Sequence, residues 1–226
     1  MLVPSDTGRC VMPNRPMVHF IGAGPGDPGL LTVRGARCLA HADVVVYDEL
    51  VHGALGRHAR PDAERISAGG ASPQEADRDA IAYLLLEKYR EGKRVARLKW
   101  GDPLVFDDGG EEALFLHEHG VPFEIVPGVP AAVGIPPYAG VPVTYRGGGD
   151  TLTLVRGHED AGHATPRVDW ASLANLDGTI VCYAGPKQLS AMLRALRTHG
   201  RPADEPVAVI YNGTLASQHT ITGTLA

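Results

Sequence analysis

The chain has 226 residues, 44% of them hydrophobic and 21% charged, which is the composition of a folded globular protein with room for one large domain or two small ones. A net charge of −5 excludes bulk electrostatic attraction to nucleic acid, so a polyanionic ligand needs a local basic site. Cys10, Cys38 and Cys182 are scattered and form no CxxC pair, which excludes a disulfide framework or a zinc knuckle, and no apolar run approaches a membrane span.

Residues 1–16 carry Asp6, Arg9, Asn14 and three prolines without the apolar stretch of a signal peptide, and read as a flexible leader on a cytoplasmic protein. Met17–Ile21 is a short apolar strand entering the glycine-rich turn Gly22–Gly29. A helix over Thr32–Ala40 and an all-apolar strand at Val44–Tyr47 follow, the strand ending at Asp48. Such continuous β-branched runs suit a parallel sheet buried on both faces. Ser72-Pro-Gln-Glu75 has the form of a capping box and starts a helix that Gly92 ends near Glu91. Arg94–Lys99 is the next strand, with the turn Trp100-Gly-Asp-Pro103 after it. A helix over Gly110–His119 and a strand at Phe123–Val126 complete an N-terminal α/β lobe over residues 17–126.

Residues 127–142 hold five prolines and form a Pro/Gly-rich junction around a short helix. Residues 143–226 read as a C-terminal α/β lobe, with strands at Thr151–Arg156, Thr179–Tyr183, Val207–Tyr211 and His219–Thr224 and a helix over Lys187–His199. The chain stops on or just after a strand, so this lobe reads as incomplete.

The motifs taken singly are ambiguous. The glycine-rich turn lacks the third glycine of a dinucleotide fingerprint, having Asp27 there, and Pro25 and Pro28 remove N–H donors. Asp48 is its one feature favouring a ribose contact. In Trp100-Gly-Asp-Pro103, Gly101 permits close backbone approach and Asp102 could accept bonds from a ligand, while a ligand-free Asx-type turn accounts for the same residues. Glu111 and Glu112 suit a helix N-terminus. Arg146, followed by three glycines, can meet a carboxylate through both arms of its guanidinium. His158, His163, Glu159 and Asp160 match no metal-ligand spacing, His117 and His119 face different directions on a helix, and no metal is expected.

In combination the motifs are more specific. Val18-His-Phe-Ile-Gly-Ala-Gly-Pro-Gly-Asp-Pro-Gly-Leu-Leu-Thr32, Arg97-Leu-Lys-Trp-Gly-Asp-Pro-Leu-Val-Phe106 and Gly109-Gly-Glu-Glu112 resemble segments of the tetrapyrrole methylase family. So do Phe123–Ala132, Tyr138–Thr144, Val207–Thr214 and Thr222–Ala226, in order over nearly all of residues 17–226. Within that family Gly109-Gly-Glu-Glu112 and Gly157-His158 point to uroporphyrinogen-III C-methyltransferase, in sirohaem or cobalamin biosynthesis.

The resemblance implies an α/β fold of two lobes, with S-adenosylmethionine folded into the cleft between them, usually in a homodimer. By position it assigns Pro25, Gly101, Asp102, Val105, Pro130, Ala131, Ala184 and Gly213 to the donor and its product S-adenosylhomocysteine. Arg146, Glu111 and Asp108 fall where substrate or catalytic groups belong. The chain departs from the family at Asp108 (usually arginine), Ala184 (methionine), Trp100 (glycine) and Pro130 (threonine or serine), and is short between Ser67 and Ser72. Candidate anchors for the eight substrate carboxylates are Arg146, Arg156, Lys99 and Lys187. Another precorrin methyltransferase, or a module that binds S-adenosylmethionine without turnover, are the alternatives; neither nucleic acid nor a membrane is expected as a partner.

Overall fold

The computed structural model describes residues 15–51, 53, 57–69, 75–157 and 168–226. The chain divides into two compact units, one through Ala131 and one from Ala132 to Ala226. Cys10, the capping residues 72–74, and the histidines and acids of 158–163 lie outside the described residues.

The first unit is built on five strands: β1 (Val18–Gly22), β2 (Val44–Tyr47), β3 (Glu64–Ser67), β4 (Val95–Lys99) and β5 (Phe123–Val126). All pairings are parallel and the order is β3-β2-β4-β1-β5. Strands β1 and β4 are buried from end to end, although β1 carries His19 and β4 carries Arg97 and Lys99. Alternate residues feed two cores. Val18, Phe20, Val44, Val46, Val95 and Phe123 pack under α2 (Glu75–Arg90) and α3 (Gly109–Glu118). Ile21, Val45, Ala96, Leu98 and Val126 pack on the opposite face with Cys38 and Leu39 of α1 (Val33–His41).

Thr32 caps α1 through its hydroxyl, accepting from Gly35 N at 3.0 Å, so the helix begins one residue later than the sequence pattern suggests. Strand β3 has no apolar alternation, which is why its pattern does not announce it. It is an edge strand, with Glu64 and Arg65 exposed, and such charges protect an open edge. Asp43, between α1 and β2, accepts from the Arg94 backbone at 3.0 Å and from its guanidinium at 2.9 and 2.6 Å. These bonds, against a smaller opposing effect of burial, hold the Asp43 carboxyl well below the usual range.

The second unit opens with α4 (Ala131–Tyr138), whose first residue closes the first unit. Its Pro136 and Pro137 fall in the last turn. A parallel pair, β6 (Leu152–Arg156) and β7 (Thr179–Tyr183), and an antiparallel pair, β8 (Pro206–Tyr211) and β9 (His219–Thr224), form its sheets. Helix α5 (Trp170–Ala174), capped by Asp169, was not apparent from the sequence pattern because five residues show no helical period. With α6 (Pro186–Thr198) it covers a small core of Val155, Leu173, Ala174, Leu196 and Leu225. Arg201 ties this unit together, donating to the Leu176 and Gly178 carbonyls at 2.8 Å and to Glu205.

Candidate functional site

In open parallel sheets ligands bind beyond the carboxyl ends of the strands. Here the turns after β1, β4 and β5 meet at that edge. Gly24 and Gly101 form an antiparallel bridge, with N–H donors to the opposite carbonyls at 3.2 and 2.9 Å. Gly22, Gly101 and Gly128 touch backbone to backbone. A Cβ on Gly22 would lie 2.4 Å from Gly128 N, and one on Gly128 would lie 2.1 Å from Gly101 O. Only glycine permits this approach. Asp102 completes the joint: one carboxylate oxygen accepts from Leu104 N at 2.9 Å, the other from Gly128 N at 3.0 Å.

Beneath the joint lies a buried ion network. Arg97 and Lys99 are two apart on β4 and share one face. Glu112 of α3 accepts from Arg97 Nε and Nη2, at 2.9 and 3.1 Å, and from Lys99 Nζ at 2.9 Å. Asp48, just past β2, meets Arg97 at 2.6 Å, and Asp107 meets Lys99 at 2.5 Å. Burial acts to raise the Glu112 carboxyl, but Arg97 and Lys99 outweigh it and hold it below its ordinary value. Burial and Arg97 pull the Lys99 ammonium down, and Glu112, Asp107 and Asp48 more than offset them. Three carboxylates face two cations, so one negative charge is in excess. Burial pushes Asp107 up to about 6 despite Lys99.

The sequence-assigned residues distribute as follows. Pro25 and Ala131 are buried, and Asp102, Val105 and Pro130 half-buried, in the turns of the first unit. Asp108 is the N-cap residue of α3 without a capping side-chain bond, and Glu111 is exposed in its first turn. In the second unit Arg146 is exposed in a turn closed by Gly148 N donating to Tyr145 O at 3.1 Å. Ala184 is exposed after β7. Gly213 lies against Ile135 of α4, where a Cβ would come within 2.3 Å of that side chain.

Two expectations need correction. Lys99 is no substrate anchor, because its ammonium is 4% exposed and held by two carboxylates. Asp48 is bound to Arg97 and does not stand ready for a ribose. Asp102 forms the Asx-type turn that the sequence also allowed and braces Gly128, each oxygen accepting from one backbone N–H. Of the three glycines after Arg146, Gly148 lies against the Tyr145 ring and Gly149 against Gly178, so only Gly147 has open space around it. Arg156 is half-buried and already engaged, and the Lys187 side chain lies outside the described residues. Glu112 and Asp107 were missed. The available signal was Arg97-x-Lys99 on a buried strand, which demands counter-charges on one face.

Among the described residues, burial pushes the thiols of Cys38 and Cys182 up to about 11, away from the reactive thiolate. Among the described residues no helix is long and apolar enough to cross a membrane.

Comparison with known proteins gives consistent results. The family model of the tetrapyrrole (corrin/porphyrin) methylases matches residues 17–226. A siroheme synthase from Thiobacillus denitrificans is 46% identical over 95% of this chain, which spans only 44% of that protein. An S-adenosyl-L-methionine-dependent uroporphyrinogen III methyltransferase from Methanosarcina barkeri is 43% identical over 92% of this chain and 82% of its own length. Among solved structures, uroporphyrin-III C-methyltransferase from Thermus thermophilus with S-adenosylhomocysteine is 36% identical, covers 92% and 88% of the two chains, and has a TM-score of 0.79. A cobalt precorrin-4 methyltransferase gives 30% identity, coverage of 92% and 85%, and a TM-score of 0.80.

The burial of Asp107 has a measurable consequence. With Asp107 raised to about 6 from an ordinary 3.8, the folded state holds more protons than the unfolded state between those values, and stability falls as pH rises through that window. Asp107→Asn removes this slope. Relative to the variant, the wild-type chain should lose about 2–3 kcal/mol of stability between pH 4 and 7, read from urea unfolding. Parallel stability curves for the two proteins would contradict the assignment.

Proposed function

Since the chain belongs to the tetrapyrrole methylase family, we propose that it transfers a methyl group from S-adenosylmethionine to a ring carbon of uroporphyrinogen III, releasing S-adenosylhomocysteine. The observation that carries this reading is the 43% identity to the Methanosarcina barkeri uroporphyrinogen III methyltransferase over most of both chains. The chain spans less than half of the siroheme synthases it matches, and the proposal concerns methyl transfer alone.

The turns of the first unit fit such a donor. Gly101, with φ of +66°, and its close contact with Gly22 and Gly128 leave a joint made of main chain, without side chains to hold a donor away from it. The donor's sulfonium supplies a methyl carbon that is already electrophilic. The electron-rich pyrrole needs little activation, so the residues act chiefly by placement. We assign Pro25, Gly101, Val105, Pro130 and Ala131 to donor binding. Asp102 holds the turn that presents them. Ala184, Gly213 and Arg146 belong to the second unit and enter through the family resemblance. After attack the macrocycle must lose a proton, and Asp108 and Glu111 at the start of α3 are the assigned acceptors. The same resemblance supports a cytoplasmic homodimer serving sirohaem or cobalamin synthesis.

Mass spectrometry of uroporphyrinogen III incubated with protein and donor tests the reaction. Mass gains of one or two methyl groups are expected. Product from a later precorrin only would favour the second reading, which the cobalt precorrin-4 methyltransferase likeness motivates. Donor binding without any product would show a non-catalytic module.

Arg146 is exposed and is assigned to a substrate acetate or propionate. Arg146→Ala should raise KM for uroporphyrinogen and lower kcat/KM about ten- to a hundredfold, or roughly 1.5–3 kcal/mol, with donor affinity unchanged. Arg146→Lys should recover part of this loss. An alanine variant with wild-type kinetics would make Arg146 an ordinary loop residue.

A further inference from the structure

The turn after β1 is built at its tip on permissive backbone. Gly24 and Gly26 have φ of +78° and +152°, and Pro25 between them has no N–H to donate. The Pro25 carbonyl is nevertheless fixed, by a side chain 75 residues away: the indole Nε1–H of Trp100 donates to it at 3.1 Å. Trp100 is itself held. It follows β4 directly, its backbone N–H points to Asp48 at 3.4 Å, and its half-buried ring packs on the core formed by Ile21, Ala23, Val45 and Leu98. Asp48 in turn is bound to Arg97. A rigid ring thus links the buried ion network to the tip of the glycine-rich turn.

We propose that Trp100 is a positioning residue for the methyl donor, setting the separation of the Pro25 turn from the Gly101–Asp102 turn. The Gly24–Gly101 bridge fixes the base of the joint, and the indole fixes its tip. Without the indole bond the Pro25 carbonyl is free to turn about two permissive glycines. The inference rests on the donor site proposed above and adds a side chain that acts on it through Pro25. Removing the N–H alone therefore loosens donor binding and leaves the chemical step intact.

Trp100 and Trp170 are the two tryptophans of the chain, so Trp170→Phe isolates the emission of Trp100. In that background S-adenosylhomocysteine should shift or quench the emission along a curve whose Kd equals the calorimetric one. Trp100→Phe, in the otherwise unaltered protein, keeps a ring and loses the donor. It should weaken S-adenosylhomocysteine binding about fivefold, the cost of ordering roughly one backbone residue of the turn on binding. KM for the donor should rise in step, while kcat at saturating donor and KM for uroporphyrinogen stay within twofold. Trp100→Ala should weaken binding more than Trp100→Phe. Unaltered affinity in the phenylalanine variant, or emission that stays constant while calorimetry records binding, would overturn the proposal and leave the methyltransferase reading standing. Absence of calorimetric binding to the parent protein would overturn both.

Discussion

Burying two cations on the central strand of a parallel sheet obliges the fold to bring carboxylates to them. An isolated charge in such a place costs several kcal/mol, and a pair offsets this only with good geometry. Arg97 and Lys99 receive Glu112 from the start of α3, Asp48 from the end of β2 and Asp107 from the segment after β4. Each partner comes from a different element, so the ion network pins three segments at the carboxyl edge of the sheet. Removing Arg97 or Lys99 would leave buried carboxylates short of a cation, which is far costlier than the net worth of the network suggests. Its excess negative charge falls on Asp107, the member whose carboxyl is raised.

The glycine joint sits on that platform and depends on it. Gly22 and Gly128 approach each other and the Gly101 carbonyl within distances no Cβ could survive, and Asp102 braces the turns after β4 and β5 to each other. Such an arrangement has little side-chain entropy to lose on meeting a ligand, since its polar groups are main chain and already ordered. Placement is also what methyl transfer from a sulfonium to an electron-rich pyrrole demands. The proposed chemistry and the close main-chain packing therefore agree, with the ion network as the link between them.

The sheet of the first unit was largely legible in the sequence. Val44–Tyr47 and Phe123–Val126 are strands with the expected bounds, because unbroken apolar runs have few other places to go in a small α/β unit. Strand β3 was not legible, since an edge strand carrying Glu64 and Arg65 looks like a surface loop. The pair Glu111-Glu112 suited a helix N-terminus, and one-dimensional pattern could not separate an exposed acid from the buried keystone beside it. Lys99 misled for the complementary reason: a lysine before a ligand-binding turn resembles an anchor, and only tertiary contacts show its charge already satisfied. The role of Asp102 as an internal brace likewise depends on Gly128, 26 residues away.

The central claim is that a main-chain joint, held by the ion network, receives the methyl donor. Hydrogen exchange of the full chain with and without saturating S-adenosylhomocysteine tests it most directly. Added protection is expected at the amides of residues 101–105 and 128–132, with little change in the buried strands β1 and β4, which exchange slowly in both states. Calorimetric binding accompanied by protection only at amides remote from these turns would contradict it.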